Sequence, residues 1–93
     1  MAAIIDVDEQ VAGEYRVTVS EGKSATSHVV TVDEAYARKL HGGKISTAEL
    51  VRRSFEFLLE RESKESILGS FALPVISRYF PEYEDEIRAA CRA

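Results

Sequence analysis

The feature that most constrains this chain is a helix opened by Ser46, whose apolar surface is too wide for one neighbour to cover. Ser46 and Glu49 have the spacing of a capping box, in which the serine hydroxyl accepts the N–H three residues later and the glutamate bonds back. From Thr47 to about Ser63 the apolar positions span an arc of about 200°, whereas a surface helix needs a stripe of roughly 100°. The helix must therefore be covered on two sides, and it supplies the predicted structural core, Leu50, Val51, Phe55, Leu58 and Leu59.

The first third of the sequence has the period of β-strands. Apolar and polar residues alternate over residues 14–20, which is typical of a half-buried strand whose inward side chains are Tyr15, Val17 and Val19. Residues 27–32 are mostly β-branched and predict a second strand. Residues 21–26 predict a flexible loop longer than a two-residue turn, and a third strand over residues 3–7 is possible.

The remaining segments have helical signals. A short helix is predicted over residues 33–41, followed by a glycine stop. Another has Pro74 at its first helical position and is ended or sharply bent by Pro81. The last covers residues 82–91, with acidic side chains first and basic ones last, as the helix dipole favours. Residues 66–70 indicate at most one turn of helix.

These elements predict an α+β fold, in which an N-terminal antiparallel β-hairpin, with a possible third strand, packs on a C-terminal bundle of three to four helices. No repeat, low-complexity tract or linker divides the sequence. We therefore expect residues 1–93 to form a single domain, with a hairpin region at 1–32 and a helical region at 33–93.

The composition limits the functions open to the chain. It has 93 residues, with 12 Lys and Arg against 16 Asp and Glu, and hence a formal net charge of −4. A chain this short leaves little room for an enclosed substrate cavity, which excludes large enzymes. Residues 1–43 carry 7 acidic and 4 basic side chains, and residues 44–93 carry 9 and 8. Because neither half is basic, nucleic acid is not an expected partner.

Three further features bear on location. The longest apolar run, residues 71–76, contains Pro74 and is far shorter than the roughly 18 residues of a membrane span, so no membrane partner is expected. The first five residues lack the basic residue of a signal peptide. The single cysteine, Cys91, has no intramolecular disulfide partner, which suits a reducing compartment. We therefore expect a cytoplasmic protein.

The acidic residues and histidines do not have the spacing of a metal site. Asp6, Asp8 and Glu9 lack the further oxygen donors and the glycine of a calcium loop. His28 and His41 have no cysteine or second histidine at the spacing of zinc ligands. We expect His28 on a strand surface and His41 beside the helix stop.

The glycine pair before Ser46 superficially resembles a phosphate-binding turn. Gly42, Gly43 and Lys44 precede a helix start, where free N–H groups attract anions. The spacing of a P-loop is absent, so we favour a helix stop followed by a capped helix start. We expect no catalytic residue, no cofactor and no metal, and therefore a non-enzymatic protein.

Three stretches of the sequence, YRVTVS (15–20), SFEFLLERESKESIL (54–68) and VISRYFPEYEDEI (75–87), resemble a family of small uncharacterised prokaryotic proteins. The resemblance covers most of the chain. It implies a compact, free-standing protein of unassigned activity, and it carries no catalytic or binding residue over to this sequence.

Two hypotheses for function remain. The first is a protein-interaction domain that self-associates, since the second cover of the Ser46 helix is either the C-terminal aromatic segment or a second copy of the chain. Pro81 favours irregular exposure within that segment, so the predicted partner surface is Tyr79, Phe80 and Tyr83. The alternative is a DNA-binding regulator, because a strand, a short helix, a turn and a longer helix follow in the order of ribbon-helix-helix repressors. The outward strand positions lack the Arg, Lys, Asn or Gln that read bases in the major groove.

Overall fold

The protein has an α+β fold with four strands and four helices in residues 3–92, the part of the chain that the computed structural model describes. Met1, Ala2 and Ala93, the terminal residues of the predicted domain, lie outside the described residues. The elements are β1 Ile4–Val11, β2 Glu14–Glu21, β3 Ser24–Thr31, α1 Glu34–His41, α2 Thr47–Leu59, a 3₁₀ turn Lys64–Ser66, β4 Ser70–Ala72, α3 Val75–Tyr79 and α4 Tyr83–Arg92.

The strands form one sheet in the order β1-β2-β3-β4. The first three are antiparallel, and β4 pairs with β3 in parallel. The sequence-based α+β assignment is confirmed, and so is the third strand, which extends to Val11. The sequence did not predict β4, whose three residues make too short a run to show a period.

The prediction of a loop over residues 21–26 is wrong. The β2–β3 connection is a two-residue turn, Gly22–Lys23, and β3 already begins at Ser24. Gly22 has φ +60° and Lys23 has no positive φ, which is the pattern of a type II′ hairpin turn with glycine at its first central position. The flanking residues pair from Glu21 with Ser24 onwards, so the ladder overrides the weak strand propensity of Ser24 and Ala25.

The two faces of the sheet have different environments. On the inner face, Tyr15, Val17, Val19 and Val30 are buried against the helices. The outer face carries small and polar side chains that are exposed or half-buried, among them Thr18 and Ser27. The predicted inward face of β2 is therefore confirmed, and the fold has two layers, with the helices on one side of the sheet.

Helix α2 begins where the sequence predicts. The Ser46 Oγ accepts the Glu49 N–H at 3.0 Å. The reciprocal half of the capping box is absent, because the Glu49 carboxylate is bound by Arg52 and Arg53. The helix ends at Leu59 rather than near Ser63. The Arg61 N–H bonds to the Leu58 carbonyl, three residues back, and the Phe57 carbonyl that would continue the α-helix accepts from the Arg61 guanidinium instead.

The central place of α2 in the core is confirmed. Leu50, Val51, Phe55 and Leu58 are buried, and Leu59 is partly buried against the same cluster. The helix contacts β1 and β2 on one side and α1 and α4 on the other. Both covers of its wide apolar arc therefore come from this chain, and the arc by itself does not require a second copy.

Candidate functional site

One concave surface is an apolar groove of about 290 Å³ between the end of α2, β4 and α3. Two of its residues are the large apolar side chains Leu68 and Tyr79, which are 47% and 66% exposed. The only charged residue in its lining is Glu62. The other residues that line this apolar groove are Leu58, Ser66, Ile67, Phe71, Val75, Ile76 and Phe80.

A buried histidine fixes one wall of the apolar groove. His28 is 2% exposed, and its Nδ1 lies 2.8 Å from the Leu68 carbonyl oxygen, so Nδ1–H donates to that carbonyl. Its Nε2 lies 2.8 Å from the Thr26 hydroxyl oxygen, within hydrogen-bond distance. The expectation that His28 lies on a strand surface is wrong, because it belongs to the inner face and its ring packs against Phe55.

The backbone next to Leu68 is also held. The Val29 N–H donates to the Gly69 carbonyl at 2.9 Å, and the Leu73 N–H donates to the Thr31 carbonyl at 2.9 Å. With the His28 bond, these contacts attach residues 68–73 to β3 over most of their length. The exposed Leu68 side chain therefore projects from a well-anchored segment.

A buried lysine anchors the segment before the apolar groove. Lys64 is 4% exposed, and its Nζ lies 2.6 Å from Glu65 Oε2 and 3.4 Å from Glu21 Oε1. Hydrogen bonding to Glu65 raises the pKa of Lys64, and Glu21 acts in the same direction. The ammonium group therefore stays charged and joins the 3₁₀ turn to the end of β2.

The opposite wall of the apolar groove is held by contacts between the end of α2 with the residues after it and α4 with the segment that leads into it. The Arg61 guanidinium stacks on the Phe57 ring at 3.6 Å and bonds to the carboxylates of Glu82 and Glu86. Phe57 in turn meets Phe80 edge-on at a centroid distance of 5.9 Å. These contacts hold Phe80 at the border of the apolar groove.

The predicted partner residues have three different environments. Tyr79 is exposed, and Phe80 is partly buried in the lining of the apolar groove. Tyr83 is fully buried and its ring packs edge-on against Phe57, so as a partner-surface residue it is a wrong assignment. Its spacing of four from the buried Ile87 indicates an inward helix face, and this signal outweighs the nearby Pro81.

The glycine turn is occupied by the chain itself. The N–H groups of Gly42, Gly43 and Lys44 donate to Arg38 O, His41 Nδ1 and His41 O. They are therefore not directed at a phosphate. His41 lies at the end of α1 as expected, and its Nδ1 carries no proton in this arrangement because it accepts from Gly43.

Three other features that could indicate a function are a reactive thiol, a free edge on β3 and a metal site, and the structure supports none of them in residues 3–92. Cys91 is buried, and this burial raises the pKa of its thiol and disfavours the reactive thiolate. Strand β3 lies between β2 and β4, so it has no free edge for the paired strands of a ribbon-helix-helix dimer. Within residues 3–92, no three side chains of His, Cys, Asp or Glu are grouped to hold a metal ion.

Comparisons with protein-family models, with curated proteins and with solved structures found no match to this chain. The resemblance of its three segments to a prokaryotic family therefore stays an expectation. Among the described residues, no helix has the length and apolar character to cross a membrane.

Proposed function

We propose that this protein is a non-enzymatic interaction domain that self-associates through the face bearing the apolar groove. The observation that carries the proposal is the pair of exposed apolar side chains, Leu68 and Tyr79, beside a concave apolar surface. Large apolar side chains at such a position are typical of interface anchors. The polar groups of the lining are the Glu62 carboxylate and the Ser66 and Tyr79 hydroxyls, a set that supports binding more than chemistry.

Charge complementarity favours a second copy as the occupant. Glu62 has no ion-pair partner within residues 3–92, and neither does Arg78, the exposed neighbour of Tyr79 in α3. In a two-fold dimer, Tyr79 would enter the opposite groove while Arg78 approached the partner's Glu62. Because such an interface uses the same patch twice, each favourable contact occurs twice.

The unpaired Cys91 supports a reducing compartment, and we propose the cytoplasm as the location. The proposal does not depend on this location.

The test is the oligomeric mass measured by sedimentation equilibrium over a range of concentrations. We expect the parent protein to approach twice its chain mass of 10.4 kDa, and Tyr79→Ala to shift the equilibrium toward monomer. The melting temperatures of the two proteins should differ little at concentrations where both are monomeric, because association itself stabilises the folded state. Val11→Ala is the matched control, because Val11 is 62% exposed on β1, away from the apolar groove. A mass of 10.4 kDa at all concentrations would contradict self-association.

A charge exchange tests the proposed partner and register. Arg78→Glu and Glu62→Arg should each weaken the dimer, whereas the double variant should restore it, because the ion pairs re-form with reversed sign. A dimer that is insensitive to Tyr79→Ala and to both charge reversals would place the interface elsewhere. If the parent protein is monomeric, an apolar partner of another kind is left as the occupant.

A further inference from the structure

Strand β1 is an open edge of the sheet. It has eight residues and pairs only with β2 among the described strands, so one side of its backbone carries unpaired N–H and C=O groups. The pairing with β2 is regular from Ile4 to Glu9, and a register shift follows between Glu9 and Val11. A regular edge of this length is a template for another strand.

The side chains of β1 alternate in chemistry as well as in direction. Ile5 and Val7 pair with the buried Val19 and Val17 and lie half-buried on the inner face. Asp6 and Asp8 are exposed, and their strand positions alternate with these two, which places them on the outer face. An added strand would therefore meet apolar positions on one face and carboxylates on the other.

The charges near this edge have few counter-ions. Asp6, Asp8 and Glu9 on β1 make no ion pair within residues 3–92. Arg16 of β2 lies opposite Asp8 in the ladder without forming an ion pair with it, and Asp6 lies opposite the uncharged Thr18. The carboxylates of α2 and α4 differ, since each of them forms an ion pair with an arginine, as Glu49 does with Arg52. The edge therefore favours a cationic occupant.

The same charges disfavour a second copy of β1 as the occupant. An antiparallel pair of two β1 strands centred on Val7 would set Asp6 opposite the partner's Asp8 on the same face. A pair centred on Asp6 would set two copies of that carboxylate directly opposite each other. Like charges at opposed positions destabilise strand pairing, so these residues select against self-pairing.

We propose that β1 binds an extended segment of a partner protein as a fifth strand, with lysine or arginine at alternate positions opposite Asp6 and Asp8 and apolar residues between them. The backbone ladder supplies affinity, and the alternation supplies selectivity for basic over acidic or uniformly polar segments. The β1 edge is at the other end of the sheet from β4 and the apolar groove, so this binding is independent of self-association.

The probe is an alternating lysine–valine peptide of the length of β1, with binding followed by fluorescence anisotropy. We expect Asp6→Asn/Asp8→Asn to weaken binding by about 2- to 30-fold, since two opposed charge pairs contribute roughly 0.2–1 kcal/mol each. Asp85→Asn/Glu60→Gln is the matched control. It removes the same charge from exposed positions, where the side chains are 91% and 75% accessible, and should leave binding unchanged.

Three further peptides separate strand addition from simple charge attraction. A peptide of the same composition, with its lysines and valines in two blocks, should bind at least roughly tenfold more weakly. The other two peptides are N-methylated at every second amide, one at the odd and one at the even positions. Only one of these sets faces β1 in an added strand, and methylating that set should weaken binding to a similar extent, because it removes several hydrogen bonds of about 1 kcal/mol each. If the block peptide and both methylated peptides bind as well as the parent peptide, or if no peptide binds, the proposal is wrong.

Discussion

At the scale of residues, buried polar groups connect distant parts of the chain. The Tyr83 hydroxyl lies 2.6 Å from Ser54 Oγ, and Ser54 Oγ donates to the Leu50 carbonyl at 2.8 Å. Since the serine proton is used in that bond, the tyrosine is the donor to Ser54. Burial raises the pKa of Tyr83, so its hydroxyl keeps the proton that this chain of bonds needs. The bonds fix α4 against α2 in one orientation.

Gly13 is a position where the backbone excludes a side chain. It has φ +81°, and an added Cβ would lie 3.1 Å from the Val32 carbonyl oxygen. We expect Gly13→Ala to lower the free energy of unfolding by about 1–3 kcal/mol, because the left-handed strain and the close approach to a backbone atom add. Chemical denaturation measures the change.

Two other glycines serve as controls for that substitution. Gly22 has φ +60° with open space around it, so Gly22→Ala isolates the strain and should cost less. Gly69 has neither a left-handed φ nor a close neighbour, and Gly69→Ala should be neutral or slightly stabilising. Equal losses at Gly13 and Gly69 would contradict this account.

At the scale of elements, helices α1 and α2 begin in different ways. Ser46 caps α2 with its hydroxyl, whereas Asp33 occupies the same position before α1 without a side-chain cap bond. We expect Ser46→Ala to lower the free energy of unfolding by about 0.5–2 kcal/mol, because it leaves the Glu49 N–H without its acceptor. Asp33→Ala should cost clearly less, and thermal or denaturant unfolding of both variants gives the comparison. The reverse order would show that the cap is not what stabilises the start of α2.

The first turns of α2 also make stability depend on pH. Hydrogen bonds from Arg52, together with those from Arg53, lower the pKa of Glu49 from 4.5 to about 2. A carboxylate with a lowered folded-state pKa stabilises the fold above its unfolded pKa, and this contribution is lost as the pH falls through the folded value. We expect the contribution of Glu49 to decline between pH 4.5 and about 2.

Glu49→Gln should therefore show a shallower loss of stability over that interval than the parent protein, in denaturation curves recorded at several pH values. The pKa values of Glu65 and Glu82 are also lowered, so the parent protein and the variant share their contribution. Glu14→Gln is the control, because Glu14 has no ion pair within residues 3–92. Identical pH profiles for Glu49→Gln and the parent protein would contradict the assignment.

The elements that could be predicted from the sequence are those marked by residues close to one another in the chain. The cap at Ser46 determines the start of α2, and the alternation of Tyr15, Val17 and Val19 determines the inner face of β2. The end of α2 was harder to place, because no glycine marks it and helical periodicity continues past Leu59.

The candidate site was less predictable, because it depends on contacts between residues far apart in sequence. Tyr79 and Phe80 were identified from the proline that follows them, but Leu68 and Glu62 were not identified at all. The hydrogen bond from His28 to Leu68 joins residues 40 positions apart in the sequence, and no pattern in either segment predicts it. The three-residue pairing of β4 with β3 also joins segments far apart in the sequence, and it could not be predicted for the same reason.

At the scale of the whole molecule, the two proposed surfaces lie at opposite ends of one sheet. The apolar groove lies beside β4, and the acidic edge is β1. A dimer formed through the apolar groove would leave both acidic edges open, one on each protomer. Such an assembly would bind a partner with two basic segments more tightly than either segment alone.

The parallel pairing of β4 has a consequence for how the chain acquires its structure during translation. Strands β1, β2 and β3 follow one another and can pair as soon as they leave the ribosome, but the partner of Val30 is Phe71, far downstream. Contacts between such distant residues form late, since a long loop must close first. Until that segment has emerged, the His28 Nδ1–H lacks its Leu68 acceptor and β3 is a second free edge of the nascent sheet, open to pairing with other strands.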